Sequence, residues 1–505
     1  MARKFSLLLQ PVGQRLEVEA GTPLQDILFE QGVEFPCGGN GRCRGCKVRV
    51  LQGEAAINDA QREHLSPAEL EAGWRLACQC SVTDDLTIEL RQWDATILTN
   101  EETFQFTPRD GLGVAVDVGT TTLVVQLLDL RTGHVLGVRT ALNPQARFGG
   151  DVMSRVQFAV AEKGLEQLTE VIRREVGALI RQVLGVAHAD SSRLRRVVLV
   201  GNTVMHHLFC GIDLEPLSHY PFEAVHDGLQ RMTPPQLGWS DLPEDAEALF
   251  LPSLGSFVGS DILAGLLATR AHEAEQLTGL VDLGTNGEIV LGTRERMLCA
   301  STAAGPAFEG ARISMGMRAA TGAIWRVTPG NGAMHCEVLG NVEPRGICGS
   351  GLVDAVASAL ELRLIRPTGR LANGGDSLPI CGEVAITQTD VRQLQLAKGA
   401  IAAGIHILLN RLGAAPEDVT RLYLAGAFGN YVNRESARRI GLLRIPLERV
   451  RPSGNTALLG AKIALFADEA ELEGYQRLRE RIEHVGLNED PAFQDVYVEE
   501  MGFPE

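Results

Sequence analysis

Positive charge is scarce in this chain of 505 residues: 47 Lys and Arg stand against 63 Asp and Glu, a formal net charge of -16. Such a surface repels phosphate backbones and anionic lipid, which argues against a nucleic-acid or membrane partner. Long apolar runs are missing too. Phe5–Leu9 is too short for a secretory core, and no stretch approaches the ~20 apolar residues of a membrane span, so a cytoplasmic protein is expected. Aromatic residues are few, at 5%, yet 45% hydrophobic and 22% charged residues with 55 glycines still describe a globular chain. Disorder, collagen and a pure coiled coil are excluded, and the length suits roughly three domains of about 150 residues.

Cysteine is distributed unevenly. Of ten, Cys37, Cys43, Cys46, Cys78 and Cys80 fall in the first 80 residues. A disulfide framework is not expected in a cytoplasmic chain of this size, so the tight group reads as metal or redox chemistry. Isolated Cys210, Cys299, Cys336, Cys348 and Cys381 read as small buried hydrophobes. The run Pro36-Cys37-Gly38-Gly39-Asn40-Gly41-Arg42-Cys43-Arg44-Gly45-Cys46 puts three thiols among four glycines, and only glycine lets backbone curl so closely around a small object. A further cysteine follows in Leu76-Ala77-Cys78-Gln79-Cys80. Zinc is the main competitor, but zinc sites usually show two paired ligand knuckles. Three thiols in one Gly-rich loop favour a 2Fe-2S cluster, whose sulfides the backbone N–H groups also stabilise.

Residues 1–92 resemble the ferredoxin family, and the five-residue gap between the first two cysteines is similar to the adrenodoxin type. The resemblance implies an α+β β-grasp domain. Its strands would be Phe5–Leu9, Arg15–Glu19, Lys47–Leu51 and Leu86–Leu90, with a helix over Pro23–Gln31. It also implies Cys37, Cys43, Cys46 and Cys78 as cluster ligands. Cys80 is then a spare, expected to point the same way as Cys78 along a strand.

After a polar connector, residues 93–111, two segments repeat one pattern 165 positions apart. Val114-Ala-Val-Asp117-Val-Gly119-Thr120-Thr121-Thr122 matches Leu280-Val-Asp282-Leu-Gly284-Thr285-Asn286-Gly287-Glu288: apolar strand, Asp/Gly/Thr turn, apolar strand. Glycine admits a phosphate close to backbone N–H groups, Thr and Asn donate hydrogen bonds, and the strand-end aspartate can hold Mg2+ or orient water. One such hairpin is weak evidence, since plain hairpin corners share it. Two indicate related lobes, here 112–275 and 276–505.

This pattern resembles the actin-like (ASKHA) ATPase superfamily, an α/β fold of duplicated RNase H-like lobes. The resemblance implies Asp117 and Asp282 facing each other across a cleft around ATP with Mg2+. It further implies nucleotide contacts from Gly119, Thr120, Thr121, Thr122, Gly284, Thr285 and Asn286. Leu422–Gly429 resembles the superfamily's adenosine loop, with Gly426, Ala427 and Phe428. Gly349-Ser350-Gly351 at a helix start is a second nucleotide candidate, equally readable as a helix capped by Ser350. The small-residue helix Thr456–Leu465 would hinge the lobes. His206 and His207, adjacent on a helix, point to different faces and read as core and surface residues before a metal pair. No carboxylate base beside a sugar pocket is legible, which argues against a sugar kinase.

A one-electron transfer running uphill costs roughly 1.4 kcal/mol per 59 mV, and ATP can offset it. The whole chain resembles the reductive activators of corrinoid enzymes, through the turns above and Asn143–Asp151, Gly201–Met205, Gly305–Gly310, Ile347–Gly351 and Ala425–Gly429. The resemblance implies ATP-dependent return of a Co(II) corrinoid protein to Co(I) in a corrinoid-dependent methyltransferase system. The electron donor would be a reductase or ferredoxin, the connector a tether reaching roughly 25 Å; a homodimer is left open. Two alternatives stand beside this. One is an ATP-coupled electron carrier for another low-potential enzyme, the other a ferredoxin-type reductase subunit whose actin-like half is not catalytic. The small-residue stretch Ala300–Gly310 reads either as a flexible loop offering Ser301 or Thr302 to cobalt or as a loop shaping the nucleotide cleft.

Overall fold

The computed structural model describes residues 3–10, 14–30, 46–90, 106–284, 286–310, 312–317, 322–330, 332–339 and 342–505. At the N-terminal end β1 (Lys4–Gln10), β2 (Gln14–Glu19), β3 (Lys47–Gln52), β4 (Trp74–Leu76) and β5 (Leu86–Leu90) form one sheet in the order β2-β1-β5-β3-β4. Alternation sets the faces: Phe5, Leu7 and Leu9 are buried while Ser6 and Leu8 keep partial exposure. Helix α1 (Leu24–Glu30) packs against a 3-10 turn, Ala77–Gln79, that carries Cys78. Two short helices, α2 (Asp59–His64) and α3 (Pro67–Glu71), fill the span between β3 and β4; Asn58 caps the first, and a Ser66/Glu69 capping box starts the second.

The next lobe contains β6 (Leu112–Val118), β7 (Thr122–Asp129), β8 (Val135–Leu142), α4 (Val152–Ala161), α5 (Leu165–Val186), β9 (Leu194–Val200), α6 (Thr203–Cys210), β10 (Gln230–Met232), β11 (Glu247–Phe250) and α7 (Ser260–Thr269). The sheet order is β10-β11-β9-β6-β7-β8, with β6, β7 and β8 antiparallel and β9 returning parallel to β6. Helix α5 covers one face with Leu168, Ile172, Val176, Leu179 and Val183, spaced three and four apart.

The last lobe repeats this plan. Its elements are β12 (Thr278–Leu283), β13 (Gly287–Gly292), β14 (Met297–Thr302), β15 (Ala323–Gly330), β16 (Ala333–Val338), β17 (Gly346–Ile347), α8 (Gly349–Glu361), β18 (Ser377–Cys381), β19 (Val384–Thr387), α9 (Gln388–Leu412), β20 (Arg421–Ala425), α10 (Gly426–Tyr431), α11 (Arg434–Arg439), β21 (Val450–Pro452), α12 (Thr456–Ala464), α13 (Glu469–Arg481), β22 (Ile482–His484) and α14 (Phe493–Met501). In the main sheet, β21-β20-β12-β13-β14-β22, three antiparallel strands are again followed by one that pairs parallel with the first. The chain is a β-grasp ferredoxin domain followed by an α/β actin-like pair of lobes.

Helices α7 and α12 cross where the lobes meet. A Cβ on Gly460 would lie 2.0 Å from the Ala264 carbonyl oxygen, so the small-residue composition of α12 is what lets the backbones approach. The connector is not a free tether along its whole length. Residues 93–105 of it lie outside the described residues, but Phe106 packs against Phe466 with ring centroids 4.3 Å apart and the rings tilted by 40°, and Arg109 N–H donates to Leu130 O. The ferredoxin domain also touches the first lobe: Asp26 on α1 pairs with Arg139 on β8 at 3.2 Å, the arginine side chain being only 5% exposed.

Candidate functional site

Asp117 sits near the C-terminal end of β6, where the central strand delivers it to the cleft, and its Oδ2 accepts from Asn455 Nδ2 at 3.3 Å. Asn455 is also the N-cap of α12, so the inter-lobe helix is tied to the first turn. Asp282 occupies the matching place on β12, where Glu288 of β13 is its cross-strand partner and Ala425 of β20 its parallel one. Burial, then the charge of Asp117, pushes Asp282 up to about 7, and burial raises Asp117 to about 6. Asp261, in the first turn of α7, is pushed up to about 7 by burial and then by Asp282 and Asp117. Glu288 is raised well above its ordinary value by burial and then by Asp261 and Asp282. Each of these four carboxylates therefore lies within electrostatic reach of at least one other. Asp261 is the member that sequence patterns do not single out; its only signal is a Gly-Ser-Asp sequence opening an apolar helix. Among the described residues no three His, Cys, Asp or Glu side chains stand close enough to hold a metal ion together.

In the first turn a Cβ on Gly119 would lie 2.4 Å from the Thr122 carbonyl oxygen, so only glycine fits. Asn202, N-cap of α6, donates to Thr120 Oγ1 at 2.9 Å. In the second turn Gly284 N–H donates to Asn286 O at 3.0 Å, and the Asn286 side chain bonds to Glu288; Thr285 lies outside the described residues. Gly426 opens α10 at φ +81°, and a Cβ there would meet Asp282 Oδ1 at 2.6 Å. The segment resembling an adenosine loop thus borders the turn between β12 and β13. Ala427 follows in the same helix, and Phe428 is buried, stacked on Phe308 at 4.6 Å. At α8 the N-cap is Cys348, not Ser350. Ser350 Oγ donates to Trp325 O at 3.0 Å, and Cβ atoms on Gly349 and Gly351 would clash with the Phe308 and Ile324 carbonyls. That segment offers a ligand its backbone N–H groups alone.

Ala300, Ser301 and Thr302 are not part of a flexible loop. They end strand β14, where Ser301 pairs with Glu288 and Thr302 Oγ1 donates to Gly287 O at 3.1 Å. Their ladder bonds place them beside β13. Nor do His206 and His207 divide between core and surface: both are fully buried, because the loop around Val225–Gly228 covers the outer side of α6. Cys336 and Cys381 are not isolated either, since strands β16 and β18 bring their thiols together.

At the ferredoxin end, Cys46 Sγ and Cys78 Sγ lie 3.3 Å apart, Cys78 partly exposed and further contacted by Gln79 Nε2 at 3.6 Å. Two thiols converging from β-strand start and 3-10 turn fit ligation of one shared group. Cys37 and Cys43 lie outside the described residues. Cys80 does not follow Cys78 along a strand, because Ala77–Gln79 is a 3-10 turn; its thiol is turned into the core toward Leu76 O and Gln61, and burial pushes it up to about 12. Among the described residues no helix is long and apolar enough to cross a membrane.

Three family models match the chain: a 2Fe-2S iron-sulfur cluster binding domain over residues 7–83, the RACo middle region over 112–274, and the C-terminal domain of RACo, the ASKHA domain, over 276–505. The corrinoid activation enzyme RamQ of Eubacterium limosum is 37% identical over 422 residues, 76% of this chain and 69% of that protein. The [Co(II) methylated amine-specific corrinoid protein] reductase of Methanosarcina barkeri is 30% identical, covering 77% of each. A solved structure described as a reductive activator for corrinoid, iron-sulfur protein superposes over 99% of this chain and 98% of its own, with 27% identity and a TM-score of 0.68.

Proposed function

The chain belongs to the reductive activators of corrinoid proteins, and on that premise we propose that it passes one electron to the Co(II) centre of a corrinoid protein, regenerating Co(I), in a step coupled to ATP. The observation that carries the coupling is the cleft: Asp117 and Asp282, delivered by equivalent strands of two lobes, lie close enough for the charge of one to raise the other. A nucleotide bridging such a cleft stabilises one arrangement of the lobes over another. Cys37, Cys43, Cys46 and Cys78 would hold the 2Fe-2S cluster, which when bound supplies a one-electron carrier. The chain's own contribution there is to converge Cys46 and Cys78 at 3.3 Å while Cys80 stays buried and protonated.

Asp117, Asp282, Asp261 and Glu288 would hold Mg2+ and orient the phosphates of ATP, with Gly119, Thr120, Thr121, Thr122, Gly284, Thr285 and Asn286 contacting phosphate oxygens. Gly426, Ala427 and Phe428 would flank the adenosine, and Gly349, Ser350 and Gly351 would approach with backbone N–H groups. The corrinoid protein is the acceptor and a reductase or ferredoxin the donor. The two halves separate by mutation: Cys78→Ser is expected to abolish the visible iron-sulfur spectrum and electron delivery while ATP binding persists. Asp117→Ala is expected to keep the spectrum and lose ATP-driven reduction. Loss of both properties in either variant would contradict the modular reading.

A further inference from the structure

The first phosphate turn is held from behind by one segment, Asn143–Arg155. Asn143 Nδ2 donates to Gly119 O at 2.9 Å, Arg155 Nη2 to Thr120 O at 2.6 Å, and Asn143 N–H to Thr121 O at 2.8 Å. Three consecutive carbonyls are thereby pinned, two by side chains and one by a backbone N–H, all of fully buried residues. In a trans peptide the carbonyl and the following N–H point in opposite directions. Fixing Gly119 C=O and Thr120 C=O inward therefore turns Thr120 N–H and Thr121 N–H outward, to the side on which both threonines are partly exposed. Among the described residues neither N–H donates to another group. Successive N–H groups aimed at one side form an anion-binding concavity.

Arg155 is unusual in its own bonding. The guanidinium is fully buried, and its hydrogen bonds go to neutral acceptors: Gly149 O, Thr120 O, Gln145 Oε1 and Met205 Sδ. Asp151 attracts it through space, but no described carboxylate accepts a hydrogen bond from it. A buried cation without a hydrogen-bonded counter-ion is costly for folding alone. Placed one peptide unit behind an anion-binding turn, it adds positive potential where phosphate would sit.

We propose that Arg155, with Asn143, is a positioning residue for the nucleotide: it orients the peptide units of the first turn so that Thr120 N–H and Thr121 N–H meet phosphate oxygens. The inference rests on the nucleotide reading above, and ligand choice separates the two. ATP, ADP and adenosine binding to the full-length protein would be measured by calorimetry for wild type and Arg155→Lys. The expected result is ATP and ADP binding weakened roughly 10- to 100-fold, the scale of one or two charge-assisted hydrogen bonds, with adenosine affinity unchanged. A merely structural role would weaken adenosine equally. If Arg155→Lys does not fold, Asn143→Asp tests the neighbouring peptide unit, since its carboxylate still accepts from Gln145 N–H but cannot donate to Gly119 O. The same split is expected. Unchanged ATP affinity, or equal loss for adenosine, would overturn the proposal; a wild-type protein that binds no ATP would overturn the nucleotide reading itself.

Discussion

Behind the turn that follows β6 stand donors: the side-chain amides of Asn143 and Asn202, the Arg155 guanidinium and the Asn143 backbone N–H, holding Gly119, Thr120 and Thr121. Around the turn that follows β12 stand acids: Glu288 across the strand from Asp282, with Asp261 near both. The strand topology of the two lobes is the same, three antiparallel strands and a parallel return, so topology does not account for the difference. It comes from what each lobe packs behind its turn. In the first lobe the segment after β8 folds back beneath the turn; in the second, α10 presents Gly426 against Asp282, and α7 brings Asp261 across from the other lobe. A duplicated hairpin now carries hydrogen-bond donors behind one turn and further carboxylates around the other, the division that the proposed Mg-ATP site would use.

Removing charge from the acidic half should have the largest effect. Asp282→Asn is expected to lower ATP-driven corrinoid reduction by on the order of 100-fold, read from the rate of Co(I) appearance, with the iron-sulfur spectrum intact. Gly426→Ala comes next. Its backbone at φ +81° and the 2.6 Å approach to Asp282 Oδ1 leave no room for a methyl group, so a stability loss of about 1–3 kcal/mol in denaturant titration should accompany weaker nucleotide binding. Asp261→Asn should act in the opposite sense on the nucleotide-free protein. Relief of a like-charge contact should stabilise it by about 1 kcal/mol at pH 8 while weakening the Mg2+ dependence of ATP binding.

The smallest expected effect is a pH trend. Asp282 and Asp261, ordinarily near 3.8, sit at about 7 in the folded chain, so protonation favours folding. Their stabilising contribution is full below pH 3.8 and lost as pH rises through about 7. Metal-nucleotide binding needs the ionised carboxylates and should strengthen over the same rise. Calorimetric affinity for Mg-ATP between pH 6 and 8, compared in wild type and Asp261→Asn, reads this directly; identical slopes would remove Asp261 from the site.

Much of the site is legible in the amino-acid sequence. The repeat around Asp117 and Asp282 marks both lobes because strand, turn and glycine are local features, and Gly426 stands out for the same reason. Cys46 and Cys78 carry their own spacing signal. Asp261 is not legible, because its role depends on how α7 packs against two sheets. Arg155 reads in sequence as an ordinary helix-start arginine, and only tertiary folding places its guanidinium inside the lobe. His206 and His207 depart from expectation because helical periodicity assigns faces but does not say that a distant loop covers the outer one. For Cys80 the departure is local: a 3-10 turn replaces the expected strand and rotates the thiol into the core.

The central claim is that ATP drives electron delivery to cobalt. Mixing the reduced protein with a Co(II) corrinoid protein under anaerobic conditions, with and without Mg-ATP, tests it through the Co(I) absorption spectrum. Co(I) should accumulate with Mg-ATP and stay near background without it; equal accumulation in both samples would contradict the account.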